Sequence, residues 1–384
     1  MCELIYNCLI REIKTKKILA TAIVVSIFSV EAMIVKANGV YYELEENGGA
    51  YANSEKSASD SNGRMILRSV IVVNGRKYSS GSIRGKCPVR SSVVKVAVPA
   101  DFEFLGDGCF YKCQNLSEMA FEDGSKLRRI GMSALAYTKL QSILVPAALE
   151  VIIAGCFQQC RDLLDITFEK DSRLREIGKS AFNESGLKSI RIPSDLKIVD
   201  AGCFDSCENL SEIIFENGFR PREIGTFACG RCRSLKSIRI PSGIEILREG
   251  CFYGCKNLRE IIFEENSKLR RIEKNVFRRC EVLEQIRIPA DTEFLGEESF
   301  SECKCLREVI FEADSKIRKI EIFAFIHSNV KSIRIPESAN IGNLRRSFLI
   351  EDELVEILRF KPTAPTEDKR EQEGTETSAN RPFE

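Results

Sequence analysis

The chain restates one apolar pattern about every 23 to 25 residues. An aliphatic residue is followed three positions on by Ile and two further on by Ile or Phe, as in Leu235, Ile238 and Ile240 or Leu210, Ile213 and Phe215. The period-two step from Ile238 to Ile240 predicts a short strand with these side chains inward. Pro241 closes it, because proline has no N–H to donate. Each half then carries I-x-x-x-A-F, as in Ile177, Ala181 and Phe182, which reads as a short helical turn with an inward phenylalanine. Pro99, Pro146, Pro193, Pro241, Pro289 and Pro336 are 47, 47, 48, 48 and 47 residues apart, so the halves pair into larger units.

Leading aliphatics run from Val93 to Val330, with a degenerate member at Leu354, giving about eleven coils. One coil cannot bury its own apolar face, whereas a stack of them builds a continuous core. The expected architecture is therefore an α/β repeat: a solenoid with a long parallel sheet and short helical turns between strands. It occupies residues 93–360, with a degenerate C-terminal cap. Residues 38–92 break the pattern and are expected to cap the open N-terminal end. There "ANSEKSASDSNG" (52–63) reads as a polar loop and "MILRSVIVV" (65–73) as a strand. Residues 361–384 have almost no apolar content and are expected to be a disordered tail.

Residues 1–37 differ in kind. Lys14, Lys16 and Lys17 precede the apolar run "ILATAIVVSIF" (18–28), and a small-residue site follows at Val35, Lys36 and Ala37. That arrangement matches a secretory signal. The stretch from Ile18 to Val35 also approaches the length of a membrane anchor, and a buried core segment is the third reading. No second such run follows, so no C-terminal anchor is expected.

With the Leu, Ile and Phe or Ile positions inward, the alternate strand positions face out. One row contains Arg191, Ile214, Arg239, Ile262, Arg287, Ile310 and Arg334. Beside it stand Glu212, Glu260 and Glu308. Each arginine is expected to lie diagonal to a carboxylate and near Glu169, Glu216, Glu264 or Glu312, in pairs contributing roughly 0.2–1 kcal/mol. The row reads either as a solvated face or as an amphipathic strip that binds a partner. A second basic row, in "SKLRRI" (125–130) and its repeats, reads more simply as a solvated flank.

Sixteen cysteines are many for 384 residues. Cys113, Cys160, Cys207, Cys255 and Cys303 stand three residues before the leading aliphatic, as do Cys232 and Cys280. Thr138, Ser185 and Ser328 fall in the corresponding loops of other halves. These seven cysteines are expected to be buried structural thiols, with a serine at Cys207 finding little to pair with. Neighbouring rungs could instead be bridged by disulfides. Four converging metal ligands are not offered by one Cys-x-x-x-Cys per rung, so neither metal nor cofactor is expected. Cys203 and Cys251 alternate with alanine as compact apolar residues, and Cys229 stands where other halves have phenylalanine.

The net charge of +1 gives no global field for nucleic acid or a membrane surface. His327 is the single histidine, with Ser328 merely adjacent, so no catalytic residues are expected. At "FNESGLKSIRIPSDLKIVDAGCFDSCENL" (182–210) the sequence resembles the BspA-like class of leucine-rich repeat proteins. The resemblance implies a leucine-rich-repeat solenoid, a surface or secreted location, and binding to host, matrix or cell-surface proteins without enzymatic activity. No nucleic acid partner is implied, and a membrane is reached only through the N-terminal segment. The competing reading is an intracellular scaffold with reduced structural cysteines.

Overall fold

The computed structural model describes residues 33–37, 39–45, 49–53, 57, 59, 61–85, 92–219, 221–337 and 356–360. The apolar run 18–28 and the tail 361–384 lie outside the described residues. The chain forms a parallel β-solenoid of about eleven turns. Each coil has three sides. A four-residue strand such as Ser189–Ile192 ends at its proline, a two-residue strand such as Ile198–Val199 follows, and a run of turns leads to the next coil.

The short strands, from Phe104–Leu105 to Lys319–Ile320, form one unbroken parallel ladder. Each contributes one inward aliphatic, such as Ile177 or Leu247. The long strands join mainly in pairs, with Ser189–Ile192 laddered to Glu212–Phe215 and Ser237–Ile240 to Glu260–Phe263. A longer run joins Gln285–Ile288, Glu308–Phe311, Ser332–Pro336 and Glu356–Phe360.

The third side overturns the expectation of helical turns, since the described residues contain no helix. In the coil at 200–210, the N–H groups of Cys203, Asp205, Cys207 and Leu210 bond to carbonyls three residues back. The intervening N–H groups of Gly202, Phe204 and Ser206 donate instead to Thr226, Ala228 and Gly230 of the next coil, at 2.7–2.8 Å. A helix would direct every N–H along its own axis, whereas this turn shares them between its own coil and the neighbour. The geometry needs left-handed residues four apart, here Gly202 (φ 61°) and Ser206 (φ 60°), and in the preceding turn Ser180 (55°) and Glu184 (54°).

The inward phenylalanines stack from coil to coil. Phe182 lies 5.1 Å from Phe157 and 5.5 Å from Phe204, all nearly parallel. Phe252, Phe277, Phe300 and Phe325 continue the column at 5.3–5.6 Å. A fully buried Phe contributes about 2–3 kcal/mol of apolar transfer, and each ring pair adds about 0.5–1.5 kcal/mol. Cys229 interrupts the column between Phe204 and Phe252, in the phenylalanine position read from the sequence. The strand phenylalanines Phe121, Phe168, Phe215 and Phe263 are only half-buried, unlike Phe311, so the inward row is less enclosed than the pattern implies.

N-terminal to the coils, Met33–Ala37, Val40–Leu44 and Gly49–Asn53 form an antiparallel meander. It joins the short-strand sheet through Arg76–Arg84, which pairs with Phe104–Leu105. The Val35, Lys36 and Ala37 triplet is thus part of a paired strand, with Val35 buried. The expected single strand at 65–73 is two: Arg64–Ile66 pairs with Lys95–Val98, while Val70–Val73 forms a hairpin with Arg76–Arg84. The hairpin turns through Asn74 and Gly75, both at positive φ, in the manner of an Asn-Gly turn.

Candidate protein-binding face

The long strands project two rows of side chains outward, at their first and third positions, and the expected residues fall in these rows. Cross-strand register sets Arg191 beside Ile214, Arg239 beside Ile262, and Arg287 beside Ile310, Arg334 and then Leu358. The arginines are exposed and Ile214, Ile262 and Ile310 half-buried. Ser189 beside Glu212, Ser237 beside Glu260 and Gln285 beside Glu308 form the adjoining row. Toward the N-terminus the row turns neutral, with Ala97 beside Ala120 and Leu144 beside Thr167. Leu144 is 55% exposed and Leu358 40%, so aliphatic surface extends beyond the three isoleucines. Leu358 was legible from its degenerate coil, four positions after Leu354.

The expected ion pairs along this face mostly do not form. Arg334 approaches Glu308 at 3.9 Å, and Lys95 meets Glu118 at 2.6 Å. Arg191, Arg239 and Arg287 have no carboxylate partner among the described residues. The acids just past the strands are otherwise engaged. Glu122, Glu169, Glu264 and Glu312 accept backbone N–H bonds from Ala100, Ala147, Ser242 and Ala290 at 2.9–3.1 Å. Those donors directly follow the prolines of the preceding coils, so each glutamate caps a corner that the proline leaves open. The sequence signal was the shared 22-residue offset between acid and corner.

Some charges on the other sides pair with one another. Arg248 bridges Glu223 at 2.6 Å and Glu273 at 3.3 Å, Lys126 meets Asp101 at 2.7 Å, and Lys274 meets Glu297 at 2.8 Å. Exposed pairs of this kind add at most about 1 kcal/mol of stability each. What they do is neutralise charge locally.

The ladder cysteines have a different role. Cys207 donates its S–H to the Phe182 carbonyl at 3.0 Å, Cys232 to Phe204 at 3.2 Å, Cys255 to Cys229 at 3.2 Å, and Cys303 to Phe277 at 3.1 Å. Cys280 reaches the Phe252 carbonyl at 3.6 Å and Cys160 that of Leu135 at 3.1 Å. Each thiol thus caps a buried carbonyl of the preceding coil. Thr138 and Ser185 belong to the same ladder, with hydroxyls 3.3 Å and 3.2 Å from Cys160 and Cys207. The view that a hydroxyl at Cys207 finds no partner is therefore incorrect. Burial pushes the Cys160 thiol up to about 11 and those of Cys207, Cys255 and Cys303 to about 12, despite these hydrogen bonds. Buried thiols held protonated are poor nucleophiles and poor metal ligands. Cys113 departs from the expectation: it is disulfide-bonded, to a partner outside the described residues.

Among the described residues, no carboxylate or serine hydroxyl lies within hydrogen-bond reach of His327. Its side chain is exposed, and the Ser328 hydroxyl donates to the carbonyl of Phe325. Among the described residues no three His, Cys, Asp or Glu side chains group as a metal site, and no helix is long and apolar enough to cross a membrane.

A family model described as the BspA type leucine rich repeat region matches residues 82–211 and 222–347, in six copies. No curated protein sequence matches the chain. Among solved structures, the pneumococcal vaccine antigen PcpA is similar with a TM-score of 0.55 at 15% identity, over 87% of this chain and 100% of that one. A leucine-rich repeat protein from Bacteroides ovatus covers 90% of this chain and 100% of its own at 21% identity and a TM-score of 0.44. A leucine rich cell surface protein from Faecalibacterium prausnitzii covers 85% and 94% at 18% identity and a TM-score of 0.42. At these identities the PcpA likeness speaks to the solenoid fold alone.

Proposed function

From the premise that the chain belongs to the BspA-type leucine-rich repeat family, we propose that it is a non-enzymatic protein-binding solenoid of the cell surface or secreted space. Its binding face is the outward row of the long strands, and its partner is a host, matrix or cell-surface protein. The observation that carries this reading is the composition of the row. Among the described residues Arg191, Arg239 and Arg287 have no carboxylate partner, and each stands beside a half-buried isoleucine on the neighbouring strand. Unpaired guanidinium groups beside apolar surface suit an interface, where arginine is enriched and charge complementarity sets specificity. In the same proposal, residues 38–92 cap the N-terminal end of the stack, whose strand edges would otherwise be open to pairing with other chains.

Surface plasmon resonance against a panel of purified matrix proteins tests the proposal. Three chains are compared: the wild type, the long-face variant Arg191→Glu/Arg239→Glu/Arg287→Glu, and the control Lys126→Glu/Lys316→Glu. Binding lost only in the long-face variant supports the reading; equal binding by all three chains, or by none, sinks it. The eleven buried free thiols favour a second reading, an intracellular scaffold, while the disulfide at Cys113 favours an oxidising space. Cell fractionation with intact-mass analysis of the mature N-terminus separates the two.

A further inference from the structure

The loops that lead from the turn side into the long strands differ in length. One runs from Cys113 through Gln114 and Asn115 to Leu116, and another from Cys160 through Arg161 and Asp162 to Leu163. Between them the loop of Thr138, Lys139 and Leu140 is one residue shorter. The short loop between two longer ones leaves a recess of about 480 Å³ lined by all three, together with Tyr137 and Gln159. These loops lead into Glu118–Phe121, Ser142–Val145 and Asp165–Phe168, N-terminal to the first arginine of the long-strand row. The next short loop, at Ser185 and Gly186, sits hard against its neighbour: a Cβ on Gly186 would lie 2.1 Å from the Arg161 carbonyl oxygen.

The lining chemistry selects the ligand. Gln114, Lys139 and Asp162 are exposed, and among the described residues their side chains have no hydrogen-bond or ion-pair partner. Arg161 is held by Glu184 at 3.0 Å. The Gln159 amide nitrogen donates to the same glutamate at 3.2 Å, which leaves its carbonyl oxygen able to accept. Lys139 and Arg161 are matched in charge by Asp162 and Glu184, so the site draws neither anions nor cations strongly. Tyr137 supplies the one aromatic ring of the lining. That ring is half-buried and fixed edge-to-face against Tyr111 at 5.5 Å. One ring among amides and charged groups is too little apolar surface for a hydrophobic ligand.

We infer that this recess binds a neutral sugar, a hexopyranose unit of a glycan. Sugar hydroxyls both donate and accept, and the recess offers both kinds of partner. Asp162 and the Gln159 carbonyl accept from hydroxyls, while Lys139 and the Gln114 amide donate to them. The C–H groups of the pyranose pack on the Tyr137 ring, whose apolar body and polar tip suit a half-wet ligand. This is a second site, in other coils than the arginine row, and it does not depend on that row binding a protein.

Saturation-transfer NMR and isothermal titration on the full chain test it with cellohexaose, mannohexaose and chitohexaose, and with an acidic probe, hexagalacturonate. At least one neutral probe is expected to bind, and at least tenfold tighter than the acidic one. Gln114→Ala/Asp162→Ala changes two exposed side chains and is expected to weaken that probe at least tenfold, with an unchanged melting temperature. Tyr137→Ala is expected to weaken it similarly and Tyr137→Phe to keep it, since the ring and not the hydroxyl packs on the sugar. Arg239→Gln/Arg287→Gln is expected to bind the sugar like the wild type. The inference is overturned if no neutral probe binds, if the acidic probe binds tighter, if either alanine variant keeps full affinity, or if the arginine variant loses it. None of these results touches the matrix-protein experiment, so the protein-binding role stands or falls separately.

Discussion

Alkali should unfold this protein through its thiol ladder. Unfolded cysteines ionise near 9.0, whereas burial raises every buried ladder thiol: Cys160 to about 11, and Cys207, Cys255 and Cys303 to about 12. Cys156, Cys203, Cys229, Cys232, Cys251 and Cys280 are pushed well above the ordinary value, again chiefly by burial. Below pH 9 both states keep their protons and the thiols add no pH dependence. Above it the unfolded chain releases protons that the native chain retains, so stability falls as pH rises, until each folded pKa is reached. At pH 10 one such thiol shifts the balance by about 1.4 kcal/mol. Cys160, Cys207, Cys255 and Cys303 together shift it by about 6 kcal/mol, a large share of the stability of an ordinary domain, and the other buried thiols act in the same direction. Guanidinium unfolding followed by circular dichroism at pH 7.5, 8.5, 9.5 and 10 measures the slope. Cys207→Ser/Cys255→Ser/Cys303→Ser removes three titrating groups while leaving hydroxyl donors, so its loss between pH 8.5 and 10 should be smaller by about 4 kcal/mol. Superimposable pH profiles of the two chains would refute the reasoning, whatever their stabilities at neutral pH.

Cys207→Ser should cost about 1 kcal/mol and Cys207→Ala about 2 kcal/mol, because only serine still offers the Phe182 carbonyl a donor; the order of the two midpoints in denaturant melts checks it. Phe182→Ala should cost about 3–5 kcal/mol and Phe215→Ala clearly less, since Phe182 is enclosed between two rings and Phe215 is half-buried; equal losses would mean that the phenylalanine column is not the core. Gly186→Ala should destabilise by several kcal/mol, because its Cβ would lie 2.1 Å from the Arg161 carbonyl oxygen; an unchanged melting temperature would contradict that close approach. Among the described cysteines only Cys305 is part-exposed and free, so thiol titration of the folded chain should find it reactive and the eleven buried ones silent until denaturation.

The repeat length, the inward set and the outward rows were all legible in the sequence. Side-chain alternation in a strand has a period of two, and a closing proline marks where it ends, so Ile238, Ile240 and Pro241 announce a strand and its inner face. The inward phenylalanines and the small residues beside them were equally plain, because a stacked core demands the same volume at the same place in every coil. What tertiary structure decided is where hydrogen bonds go once coils are adjacent. The turns looked helical because I-x-x-x-A-F has a helix-like spacing, yet Gly202, Phe204 and Ser206 donate to the next coil, and that neighbour exists only in the stack. The cysteines looked like mere filler because their acceptors, such as the Phe182 carbonyl for Cys207, lie 25 residues away along the chain. Likewise Glu169 and Glu264 read as partners for arginine, but the corner N–H groups of Ala147 and Ser242 reach them first. A buried N–H or carbonyl must find a partner, and local sequence names the donor types without saying which coil supplies the other half.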